Sequence, residues 1–74
     1  MPEERLANRL KVLRAAKALT QGALAELIGT TRKSVNAIEM ERMVPSTLLA
    51  LKLARALDAP LEHLFQLAES GTGD

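Results

Sequence analysis

Arg32, Lys33 and Asn36 are the residues of this chain whose types and spacing could do chemistry outside the molecule. At about 100° per residue of helix, Arg32, Lys33, Asn36 and Ala37 share one arc, and Thr31, Ser34, Val35, Ile38 and Glu39 share the other. The first arc presents a guanidinium, an ammonium, a carboxamide and a methyl group. A guanidinium can donate a bidentate pair to guanine O6 and N7, and a carboxamide can pair with adenine N6 and N7. An ammonium can reach guanine or a phosphate, and a methyl group can pack on that of thymine. Thr31, Ser34 and the unpaired N–H groups of a helix start suit phosphates, which position a protein without reading sequence. A solvated helix face is the plain alternative for the same residues.

Other chemistries lack their parts. The chain has no cysteine and one histidine, His63, with no second histidine or carboxylate cluster beside it, so neither a metal site nor a thiol nucleophile is expected. No Ser, His and Asp set, phosphate-cradling glycine loop or paired carboxylates stand out. The reading is a protein that is not an enzyme and needs no cofactor.

The elements that must hold the arc are helices. The first is expected from Pro2 or Glu3 to Ala18, with Leu6, Leu10 and Leu13 as its buried stripe. Thr20 is a good N-cap for a second helix whose inner face is Leu24, Leu27 and Ile28, and Gly29 is placed to end it in left-handed geometry. Thr31 caps a third helix reaching about Met40. After the loop Glu41 to Pro45, where Met40, Met43 and Val44 form a small apolar cluster, Ser46 caps a fourth helix from Thr47 to Leu57. That helix carries leucine on more than one side, as an element buried on more than one side does. Pro60 suits the first turn of a short fifth helix through Phe65. The fold class is therefore all-α, a compact five-helix bundle with a helix-turn-helix made by its second and third helices. It forms one domain over residues 1–69, with a flexible polar tail over 70–74.

At 74 residues a single core is near the lower limit of self-sufficiency, so association with a second copy is a natural source of stability. Leu48, Phe65 and Leu67 are the candidate dimer contacts, because helix four holds more leucine than one monomer core can use. The formal charge is only +1, but it is unevenly distributed. From Arg5 to Ala37 there are seven basic residues and one acid, while from Met43 onward there are two basic and four acidic residues, which favours a polyanion partner at the N-terminal side. The N-terminus is charged where a signal peptide needs apolar residues, and no apolar run approaches the roughly 20 residues that span a bilayer, so a soluble cytoplasmic protein is expected.

The pattern L-x-x-L-R, T-Q-x-x-L-A-x-x-I-G, S-V-x-x-I-E, P-S, L-A-x-A-L and L-E-x-L-F, running from Leu10 to Phe65, resembles the phage repressor and Cro-type helix-turn-helix family, also called the XRE family. The resemblance implies five helices, the third lying in the major groove of double-stranded DNA, and sequence-specific binding as a homodimer. It maps base contacts onto Arg32, Lys33, Asn36 and Ala37, and a phosphate contact onto Gln21. It makes Ala25 the small residue that lets helix three approach helix two. Arg14 and Glu39 match a buried ion pair between helix one and the end of helix three, and Glu39 falls at the inner edge of its helix. The glycines common near Glu41 and Asp58 in that family are absent here.

The function expected is a transcriptional regulator reading an inverted repeat, with a possible protein partner. An antitoxin or a restriction-modification controller would share the fold. So would a protein-interaction module that has lost DNA binding.

Overall fold

Three hydroxyl caps and one glycine set the middle of the fold. The chain is described by a computed structural model over residues 3–70. Its elements are β1 (Glu3–Asn8), α1 (Leu10–Ala16), α2 (Gln21–Ile28), α3 (Arg32–Glu39), α4 (Thr47–Ala56), α5 (Leu61–Leu64) and β2 (Phe65–Ser70). Thr20 Oγ1 accepts the Ala23 N–H at 3.0 Å, Thr31 Oγ1 the Ser34 N–H at 3.1 Å and Ser46 Oγ the Leu49 N–H at 3.1 Å. Each cap satisfies a backbone donor that a helix start leaves without an intrahelical partner. Gly29 ends α2 at φ +74°, and the Thr30 N–H turns back onto the Ala25 carbonyl at 2.9 Å. Because that turn is so short, α3 starts at once and lies against α2.

The all-α expectation is corrected at both ends of the chain. Glu3–Asn8 is a strand, not the first turns of a helix, and it runs antiparallel to Phe65–Ser70 with Leu6 opposite Leu67 and Asn8 opposite Phe65. Leu6 shares helical spacing with Leu10 and Leu13, but the pairing partner lies at the far end of the chain, and a weak local preference yields to such a contact. Asn8 marks the change: its Oδ1 accepts the Leu10 N–H at 3.0 Å, so α1 begins only there. Helix five is likewise cut short at Leu64, where Phe65 turns into β2. Pro2 and the tail at 71–74 lie outside the described residues, while Ser70, expected in that tail, closes β2.

The core is Leu10, Leu24, Ala25, Ile28, Val35, Ile38, Leu53, Leu57 and Leu64, drawn from all five helices and the residue following α4. Leu27 is not part of it: at 62% exposure it stands on the outer side of α2, whose buried face is Leu24, Ala25 and Ile28. Of the expected loop cluster only Met43 packs against the core, while Met40 and Val44 are exposed.

Three helix ends adopt left-handed geometry without glycine, at Ala18 (φ +55°), Glu41 (φ +61°) and Asp58 (φ +53°). Glu41 has a compensating contact, since its carboxylate accepts from Arg5 Nη1 at 2.9 Å. Exposed Ala18 has only a methyl group, which crowds the backbone in this conformation. Ala18→Gly should therefore stabilise the fold by about 1 kcal/mol, read as a melting temperature higher by roughly 4–8 °C. An unchanged or lower melting temperature would contradict it.

Candidate nucleic-acid interface

The site is built on α3, eight residues long and held from behind. Val35 and Ile38 are buried in the core, leaving Thr31, Arg32, Lys33 and Asn36 exposed and Ser34 and Ala37 half-buried. Arg32, Lys33 and Asn36 together line one surface pocket. Thr31, besides capping the helix, donates its hydroxyl to Ser34 Oγ at 3.1 Å. The N–H groups of Arg32 and Lys33 at the helix start are left to partners outside the helix.

Behind this face a polar network joins three helices. Arg14 on α1 donates from Nε to Glu39 Oε2 at 2.7 Å and from Nη2 to Oε1 at 3.3 Å, while its Nη1 donates to the Leu19 carbonyl at 2.8 Å. The Arg14 side chain is 15% exposed and that of Glu39 5%. Gln21, first residue of α2, donates from Nε2 to Glu39 Oε1 at 2.9 Å and to Asn36 Oδ1 at 3.1 Å. Among the described residues no buried side-chain nitrogen or oxygen lacks a partner.

Gln21 therefore stands differently from a simple phosphate contact. Both hydrogens of its amide are used within the protein, and its backbone N–H, in the first turn of α2, has no intrahelical acceptor. The Asn36 carboxamide is oriented by the same bond. Its oxygen retains a second lone pair and its nitrogen both hydrogens, so the group can still accept from adenine N6 and donate to N7. This orientation is invisible in the sequence, where Gln21 and Asn36 are only two polar residues on neighbouring helices.

The apolar residues named as dimer contacts are not all alike. Leu48 on α4 is 65% exposed and Leu67 on β2 is 71% exposed, whereas Phe65 is partly buried against the core. Phe65 lines a groove with Leu6, Pro45, Thr47, Ala50 and Leu61. Leu6, expected in the buried stripe of the first helix, instead lies opposite Leu67 in the sheet and lines this groove, and Leu51 on α4, not named as a contact from the sequence, is 52% exposed. The six residues of β1, Glu-Glu-Arg-Leu-Ala-Asn, carry no apolar alternation, so helical spacing was the one pattern Leu6 offered.

A family model for the helix-turn-helix matches residues 10–64. The chain is 45% identical over 62 residues to YgzD, an uncharacterised HTH-type transcriptional regulator of Bacillus subtilis, covering 84% of this chain and 94% of that one. It is 46% identical over 54 residues to an uncharacterised HTH-type transcriptional regulator of Methanothermobacter thermautotrophicus, covering 72% of this chain and 78% of that one. Among solved structures it is similar to the restriction-modification controller protein C.AhdI from Aeromonas hydrophila, with a TM-score of 0.72 and 44% identity over 77% of this chain and 83% of that one.

The Arg14 and Glu39 geometry carries a stability prediction. Removing the guanidinium leaves a carboxylate at 5% exposure without its cation, so Arg14→Ala should lower the unfolding free energy by about 3–5 kcal/mol. Urea denaturation matching that of the parent chain would contradict it.

Proposed function

Because the chain belongs to the helix-turn-helix family of the repressor and Cro (XRE) type, whose members are DNA-binding transcriptional regulators, we propose that it is a homodimeric regulator reading an inverted repeat in double-stranded DNA. Two copies of α3 enter successive major grooves about 34 Å apart. The observation that carries this reading is the Asn36 carboxamide, oriented by Gln21 and open on its outer side, next to Arg32 and Lys33. Arg32, Lys33 and Asn36 read base edges, and Ala37 packs on a thymine methyl. The backbone N–H of Gln21 and the hydroxyls of Thr31 and Ser34 hold phosphates and so fix register.

Two copies associate through the apolar side, with Leu48, Phe65 and Leu67 as contacts and Leu51 extending the patch. Exposed apolar area of this kind marks an interface. No helix among the described residues is long and apolar enough to cross a membrane, which suits a cytoplasmic regulator. The role is one of binding, without catalysis. The likeness to C.AhdI favours one narrower reading, a controller of a restriction-modification system.

Selection of binding sites from random duplex tests the proposal. The expected product is an inverted repeat whose preference relaxes at separate positions for Arg32→Ala and Asn36→Ala, each by about 1–3 kcal/mol. Binding to random duplex should also weaken steeply as salt rises, because neutralised phosphates release counterions. Unchanged preference in both variants would overturn the assignment of base contacts. Recovery of single half-sites would overturn the dimer, and salt-independent behaviour would point to a protein-interaction module.

A further inference from the structure

Asn8, at the end of β1, is a half-buried side chain that the reading of DNA does not use directly. Its amide joins two helices. The Oδ1 atom accepts the Leu10 N–H at the start of α1 (3.0 Å), and Nδ2 donates to the Ile38 carbonyl in the last turn of α3 (2.9 Å). The last carbonyls of a helix have no intrahelical donor of their own, and that of Ile38 receives both Asn8 Nδ2 and the Glu41 N–H at 3.0 Å. Asn8 is itself seated by the sheet, opposite Phe65, and the next residue donates its N–H to the Leu64 carbonyl at 2.9 Å.

We propose that Asn8 is a positioning residue for DNA reading, setting the tilt of α3 by tying its last turn to the start of α1 and to the terminal sheet. The inference rests on the DNA reading above. An eight-residue helix is about 12 Å long, so a tilt of roughly 5° about one end moves the other by about 1 Å. Base-edge hydrogen bonds do not survive such a shift, since a binding group must be held within about 0.5 Å of its productive place. With Glu39 still tied to Arg14 and Gln21, loss of the Asn8 bond lets α3 pivot about its last turn, and Arg32 and Lys33 at the far end move most. The Arg5 and Glu41 ion pair ties the same strand to the residues just after α3, but it is an exposed pair at 2.9 Å and a weaker constraint. The two ends of the chain thus hold the reading helix from its rear.

Asn8→Ala removes both bonds. Asn8→Ser leaves a hydroxyl that can still accept the Leu10 N–H and has no amide for the Ile38 carbonyl, so α1 keeps its start if the alanine variant fails to fold. Neither changes the charge. The experiment measures affinity for the duplex recovered by selection and for random duplex, at one salt concentration and below the melting transition. The expected result in each folded variant is a roughly tenfold loss in the ratio of the two affinities, the equivalent of one good base contact. Random-duplex affinity should match the parent, because it reports phosphate neutralisation. A parental ratio, or a parallel fall in both affinities, would overturn the inference and leave Asn8 a residue of stability alone. A parent chain with no preference for any site would bring down the DNA reading and this inference with it.

Discussion

The ion pair between Arg14 and Glu39 is the constraint on which the rest of the molecule depends. A carboxylate at 5% exposure is costly unless its oxygens are satisfied, and here Arg14 Nε, Arg14 Nη2 and Gln21 Nε2 all donate to it. Since those donors come from α1 and α2 and the acceptor from α3, satisfying Glu39 fixes three helices relative to one another. An apolar contact at the same place could bury as much area but would tolerate sliding. Hydrogen bonds with directional geometry do not.

This constraint reaches the surface through Gln21. One amide group spans from the buried carboxylate to the Asn36 carboxamide, so the core that holds α3 also orients a side chain on its outer face. A side chain held before its partner arrives loses less freedom on binding, and the saving appears as affinity. Asn8 holds the same last turn of α3 one residue earlier, through the backbone carbonyl of Ile38. Between them the reading face is fixed at its middle by side chains and at its rear by the strand.

Where a local signal existed, the sequence was informative. Thr20, Thr31 and Ser46 announce helix starts because their hydroxyls must take a backbone N–H, and all three do. Gly29 announces the turn because it can adopt φ +74° without a Cβ penalty. The outward arc of Arg32, Lys33 and Asn36 follows from helical period alone. The terminal sheet was not legible, because β1 and β2 become strands only through each other, and the six residues of β1 carry no apolar alternation to reveal it. Asn8 was overlooked for the same reason: inside a supposed long helix, a cap residue has nothing to cap. Leu27 shows a limit of spacing, since Leu24, Leu27 and Ile28 fit one face on a wheel, yet the approach of α3 selects Ala25 and leaves Leu27 outside.

The central claim is that the buried network orients the reading residue through Gln21, and a double-mutant cycle on DNA affinity tests it most directly. Affinity for the selected duplex is measured for the parent, Gln21→Ala, Asn36→Ala and the double variant. If Gln21 acts by holding Asn36, its loss matters little once Asn36 is gone, and the two effects should depart from additivity by about 1 kcal/mol or more. Additivity within about 0.3–0.5 kcal/mol would mean that the two residues act independently, and that the network stabilises the fold without aiming it.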